Sequence, residues 1–235
     1  MHPFELTAIF RDTTFLDVPA MLGELHRFAL HLQGASPMLS GWRLKGNSKD
    51  DAMRYEVFDA NGPTAAATAV LTTELKNETD LRIIGMWNAR AGKEGASLQY
   101  IRRPAPETSS IVLRAKPEAF PREERLAASL VSQAAVQWSP SVVSLEPPSY
   151  FDKRVFRDRP GVGWMLYIPQ VLSQRQVPEA RALTPVMDGP KQIGTIVVSV
   201  VGEPFSDDDA DHVKIANAIE IRLADQDLLP RYSAL

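Results

Sequence analysis

The chain of 235 residues contains no cysteine, which removes disulfide frameworks, cysteine-based zinc sites and a cysteine nucleophile together. Histidine is almost as scarce. His2, His26, His31 and His212 are the only four, too dispersed in sequence to outline a triad or a zinc shell. No Gly-x-Ser-x-Gly elbow, His-Glu-x-x-His helix or local grouping of Ser, His and Asp occurs. No apolar run approaches the roughly 20 residues that span a bilayer, and Arg11 and Asp12 interrupt the N-terminal segment before a signal-peptide apolar region develops. A surplus of positive charge is missing too: 26 Lys and Arg face 29 Asp and Glu, which weighs against unaided binding to nucleic acid or an anionic membrane. The expectation is a soluble cytoplasmic protein with no metal, cofactor or catalytic residue.

What is present is an ordinary globular composition, 44% hydrophobic and 23% charged, enough to bury a substantial core. Met1 to Phe10 reads as a first strand. Pro19 opens a helix whose Met21, Leu22, Leu25, Phe28, Ala29 and Leu32 recur at helical spacing, ended by Gly34 and Pro37. Leu39 to Lys45 reads as a strand and Gly46-Asn47-Ser48 as a turn. A second helix runs from Gly62-Pro63 to Leu75. Leu81 to Trp87, Ser97 to Ile101 and Ser110 to Ala115 form an antiparallel meander, with Gly92 to Gly95 as its first turn. A third helix begins near Pro121, with Leu126, Ala127, Leu130, Val131, Ala134 and Trp138 inward. Val142 to Leu145 and Gly163 to Ile168 are strands on either side of an irregular aromatic and basic stretch. Gln170 to Pro190 reads as a long connection.

The last quarter is the most specific part. Ile193 to Val201 is an apolar strand, and a helix from about Asp207 to Ala224 turns Val213, Ala216, Ile219 and Leu223 inward, after which Leu228 and Leu229 tuck against the body. Strands and helices mix without regular alternation, so the fold class is α+β: a mixed, largely antiparallel sheet packed against about four helices. A single domain over 1–235 is expected, subdivided if at all near 116–150. The pairs Gly41-Trp42 and Gly163-Trp164, each entering a strand, raise the question of two related halves. Trp42, Trp87, Trp138 and Trp164 all fall where core is the common reading.

Asp207, Asp208, Asp209 and Asp211 form the only dense group of like charges. After Ser206 as N-cap, first-turn carboxylates need no further explanation than the helix dipole. Their functional reading is an exposed patch that steers association with a basic partner surface. A calcium loop counted from Asp207 puts His212 and Ala218 where Gly and Glu belong, so that motif fails. Asp208 and His212, at i and i+4, could give two metal ligands, with nothing to complete the shell. Gly41 to Ser48 has phosphate-loop glycine spacing but Asn47 in place of the lysine. Gly161-Val162-Gly163 lacks the third glycine of a dinucleotide fingerprint, Leu166 standing there, and reads as a tight strand entrance. Lys153, Arg154, Arg157 and Arg159, among Tyr150, Phe151 and Phe156, have the residue types of a single-strand binder. Asp152 and Asp158 favour local ion pairing instead.

Gly85-Met86-Trp87-Asn88, Arg159-Pro160-Gly161-Val162-Gly163-Trp164-Met165-Leu166-Tyr167, Ile193-Gly194-Thr195-Ile196-Val197, Phe205-Ser206 and Asn217-Ala218-Ile219-Glu220 together resemble the bacterial immunity protein 52 family, across most of the chain. That resemblance implies a non-catalytic antidote of a polymorphic toxin system, often delivered by type VI secretion, whose partner is a cognate toxin with a restriction-endonuclease-like nuclease domain. The matching segments are structural residues, so the resemblance assigns no site. Two readings stand beside it: a hydrolase or transferase with a dispersed site, and an adaptor without a toxin partner.

Overall fold

The computed structural model describes residues 2–11, 14–46 and 49–235; Asn47 and Ser48 of the expected turn lie outside them. In chain order the first elements are β1 (Phe4–Phe10), α1 (Val18–Ala35), β2 (Arg43–Leu44), α2 (Lys49–Arg54), β3 (Phe58–Asp59), β4 (Gly62–Pro63), α3 (Ala65–Glu74), β5 (Arg82–Trp87), β6 (Ala96–Arg102) and β7 (Ser109–Ala115). There follow α4 (Glu124–Trp138), β8 (Val142–Glu146), β9 (Met165–Ile168), β10 (Ala182–Asp188), β11 (Lys191–Val198) and α5 (Ala210–Asp225). The fold is α+β, and the strand pairings within each of its two compact units are antiparallel. One unit is Arg11–Phe120; the other joins Met1–Phe10 to Pro121–Leu235.

In the middle unit the strands lie in the order β7-β6-β5-β2. The expected meander is present, Ile84 opposite Tyr100 and Tyr100 opposite Ile111, and β6 alternates buried and half-buried residues as a one-faced strand should. Helix α1 starts one residue before Pro19. Asp17 caps it by accepting from the Ala20 N–H at 2.9 Å, and its buried stripe is the expected six residues plus Val18. Gly34 falls inside the helix, and the chain leaves at Ser36. The strand expected over Leu39 to Lys45 shrinks to Arg43–Leu44, because the neighbouring backbone groups are taken elsewhere: Trp42 carbonyl accepts from the Val57 N–H at 2.9 Å. Helix α2 has no apolar periodicity and was not foreseen. Gly62-Pro63 does not open α3; it pairs with Phe58-Asp59 in a two-residue ladder, and Thr64 caps α3 through the Ala67 N–H.

In the terminal unit the order is β10-β11-β9-β8-β1. Helix α4 carries Ala127, Leu130, Val131, Ala134, Ala135 and Trp138 inward, and Trp138 stacks on Phe10 of β1 at 6.1 Å. Strands β8 and β9 are buried on both faces. The stretch expected as one long connection from Gln170 to Pro190 contains β10. That strand has a single buried residue, Val186, and Pro185, which an edge strand tolerates because one row of its backbone groups faces away from the ladder. Exposure on both faces erased the alternation that would have revealed it. Gly41-Trp42 leads into β2, the first strand after α1, whereas Gly163-Trp164 leads into β9, the second strand after α4. Three of the four tryptophans are core: Trp42, Trp138 and Trp164 are buried, while Trp87 is half-buried with its indole N–H on the Ala52 carbonyl.

Candidate functional site

The acidic run at the entrance of α5 separates into four different environments. Asp209, not Ser206, is the N-cap: its Oδ1 accepts from the Asp211 and His212 N–H groups at 2.8 and 3.2 Å. Those bonds hold its carboxyl below the usual aspartate range. Ser206 is one turn too early; its N–H donates to His212 Nδ1 at 3.1 Å and its carbonyl accepts from Asp209. The helix therefore begins at Ala210, three residues later than the periodicity suggested. Asp207 is buried, 4% exposed, and its Oδ2 lies 3.1 Å from Lys153 Nζ. It is withdrawn from any surface patch. Asp208 is exposed and hydrogen-bonds His2 Nε2 at 2.6 Å, which lowers its pKa. Asp211 is exposed in the first turn. Of the four, Asp208, Asp209 and Asp211 can meet a partner.

His212 does not join Asp208, its i−4 neighbour. It turns inward, its ring stacked on Phe205 at 5.8 Å, with Glu203 3.7 Å from Nε2. The histidine that does meet the aspartates comes from the other end of the chain. His2, Asp207 and Asp208 each place one ligand-capable atom within 4.8 Å of the others. Lys153 already compensates Asp207 there, supplying a positive charge where a cation would have to sit.

Beneath this surface lies a group that the sequence did not announce. β8 ends in Glu146, 5% exposed, opposite Glu5 of β1, and its Oε1 pairs with Arg154 Nη2. Burial outweighs that pairing and pushes the Glu146 pKa up to about 7, with Glu220 and Glu5 adding like-charge repulsion. Its Oε2 and the Arg154 Nε have no hydrogen-bond partner among the described residues. Glu220, 1% exposed on α5, accepts from the Val155 and Val162 N–H groups at 2.9 and 3.1 Å. Burial still raises its pKa. The Tyr150 hydroxyl lies 2.8 Å from both Glu220 Oε1 and Asn217 Oδ1, and its pKa is driven up by burial and by Glu220.

These groups fasten the irregular stretch after β8. The Val155 and Val162 bonds to Glu220 clip it to α5, and Arg154 reaches the Tyr232 hydroxyl at 3.1 Å. Gly161 and Gly163 exist for the same packing: a Cβ at Gly161 would sit 2.3 Å from Glu146 Oε2, and one at Gly163 2.2 Å from Glu146 Cβ. The four basic residues of the stretch are all engaged. Lys153 meets Asp207, Arg154 meets Glu146, and Arg157 meets Asp152 at 3.8 Å. Arg159 donates to the Leu229 carbonyl. Asp158 is taken by Arg231. Of the expected local ion pairs only Arg157–Asp152 forms; Arg154 turns back to Glu146, while Lys153, Arg159 and Asp158 find partners distant in sequence. One signal could have exposed the buried group: Glu220 sits at i+4 from Ala216 and i−3 from Leu223, on the inward stripe.

No family model matches the chain, so the resemblance to the immunity protein 52 family gains no support from that comparison, and no curated protein matches it in sequence. Among solved structures, the fold is similar to that of a type VI secretion system protein of Pseudomonas aeruginosa, PA0821, with a TM-score of 0.58 and 11% identity, covering 95% of this chain and 76% of that one. At that identity the likeness is one of fold.

Proposed function

We propose that the chain is an immunity protein of a type VI secretion system: it acts in the cytoplasm, binds a cognate secreted toxin, and neutralises it in a tight, non-catalytic complex without a cofactor. The observation that carries this reading is the similarity of fold, over nearly the whole chain, to a type VI secretion protein. The segment pattern that resembles the immunity protein 52 family adds the direction, and with it a nuclease of restriction-endonuclease-like fold as the toxin. The chemistry of the terminal unit is compatible with a binder, since Glu146, Arg154, Glu220 and Tyr150 are turned inward onto one another rather than toward a cleft.

Exposed carboxylates on a rigid helix end suit a nuclease, whose nucleic-acid groove must be basic. A stable complex would bury about 1,200–2,000 Å². Coexpression with a toxin from the same gene neighbourhood, where one is found, tests the reading: survival and a copurifying complex are expected, and a toxin that still kills, with no complex formed, refutes it. A catalytic alternative has one observation in its favour, a buried carboxyl with a pKa of about 7. In the binding reading a folded Glu146→Gln variant still protects; loss of protection by that variant would favour catalysis.

A further inference from the structure

The stretch from Pro147 to Trp164 closes over a carboxylate that water does not reach. Glu146 gives Oε1 to Arg154, while its Oε2 is buried and has no hydrogen-bond partner among the described residues. The backbone of the stretch lies against that side chain: a Cβ added at Gly161 would stand 2.3 Å from Oε2, and one at Gly163 2.2 Å from Glu146 Cβ. Hydrating Glu146 therefore requires the stretch to move.

The groups around Glu146 tie that movement to charge. From α5, Glu220 accepts from the Tyr150 hydroxyl at 2.8 Å and from the Val155 and Val162 N–H groups at 2.9 and 3.1 Å. From β1, Glu5 stands opposite Glu146, its Oε1 accepting from the Thr7 hydroxyl at 3.1 Å. The guanidinium that acts on both Glu146 and Glu220 is that of Arg154, which also holds the Tyr232 hydroxyl of the C-terminal turn at 3.1 Å. Two buried carboxylates share one cation. The excess negative charge is costly without water, and a proton on Glu146 removes it.

We propose that this stretch is a proton-controlled clasp: with Glu146 protonated it closes on α5 through Val155 and Val162, and when Glu146 ionises it lifts to admit water to the carboxylate. Phe151 and Val155 ride on it with 42% and 40% exposure, so the proton also governs how that apolar surface is presented. Burial places the Glu146 pKa at about 7 in the closed state, and an opened, hydrated carboxyl returns toward 4.5. The closed state binds the proton more tightly. Raising pH between those values favours opening, by up to about tenfold per pH unit for one proton. The clasp belongs to the chain alone and does not rest on toxin neutralisation.

Amide hydrogen exchange of the full chain, followed by NMR from about pH 5 to about pH 8 and corrected for intrinsic rates, tests it. The Val155 and Val162 amides should be less protected than those of Leu130 and Val131, buried in the middle of α4. Their protection should fall by up to about tenfold per pH unit until Glu146 has ionised, then level off. In Glu146→Gln, which has no proton to lose, the fall should disappear. The proposal is overturned if Val155 and Val162 are as protected as the α4 amides at every pH, because only global unfolding would then free them. It is equally overturned if their protection ignores pH while the Glu146 carboxyl titrates in carbon-13 spectra. Both comparisons use the wild-type chain, so they decide the matter even if Glu146→Gln does not fold.

Discussion

A carboxylate gains or loses meaning with the group that faces it, and Glu146 is the clearest instance. Its pKa is about 7 in the folded chain against an ordinary value of 4.5. As pH rises above 4.5 the unfolded chain releases this proton while the folded chain keeps it until about 7, so the folded state binds more protons across that window. The Glu146 contribution to stability is therefore greatest at low pH and falls as pH rises from 4.5 to about 7. Glu220 acts in the same direction. Urea midpoints measured at intervals from acid to neutral pH should show this decline, and Glu146→Gln should flatten it. Arg154→Met should cost about 3–5 kcal/mol near pH 8, because it strands a buried carboxylate. The loss should shrink near pH 5, where Glu146 holds its proton; a cost independent of pH would mean that Arg154 acts only by packing. At the helix entrance the aspartates divide in the same spirit. Asp209→Ala should lower the urea midpoint by removing the cap, whereas Asp208→Ala, which gives up only an exposed bond to His2, should lower it far less.

At the scale of elements, the stretch from Pro147 to Trp164 is held by packing that tolerates no extra atom. Gly163 has φ +48°, and an added Cβ would meet Glu146 Cβ at 2.2 Å. Gly163→Ala should destabilise by about 2–5 kcal/mol, combining left-handed strain with overpacking. Gly189→Ala is the control: φ is +56° with nothing within 4 Å, so only the strain of about 1–2 kcal/mol applies. Equal losses in thermal melts would remove the close approach to Glu146 from the account. This stretch also marks the limit of what the sequence disclosed. Helices α1, α4 and α5 and the meander were legible because each buries one face and so repeats with its own period. Strand β10 was not, since an exposed edge carries no period, nor was the two-residue β3–β4 ladder, which is too short to show one. The Glu146–Arg154 pair was hidden for a third reason: nothing local distinguishes a buried charge from an exposed one when its partner arrives from a loop. Two segments of the family resemblance, Arg159 to Tyr167 and Asn217 to Glu220, meet around this pair through Val162 and Glu220. They mark a packing arrangement rather than a contact surface.

For the whole molecule, the net charge of -3 is too small to organise association by itself, so any steering must come from where the unpaired charge stands. Near the entrance of α5 the internal pairings have consumed much of it. Asp207 is neutralised by Lys153, and Asp209 is tied to backbone. Asp208 shares its charge with His2, and Asp211 is left exposed. Reversing all the aspartates would therefore confuse a lost cap with a lost contact. Asp208→Asn/Asp211→Asn spares both the cap and the buried Asp207–Lys153 pair, and it isolates the electrostatic term. If this helix end faces a basic nuclease surface, the double variant should associate with the toxin several-fold more slowly at low ionic strength and show a shallower dependence of rate on salt, with dissociation nearly unchanged. Stopped-flow mixing of the purified partners across a salt series reads both quantities. Identical rates for variant and wild type at every salt concentration would assign these aspartates to the helix alone. The partner's contact would then lie on a surface other than the entrance of α5.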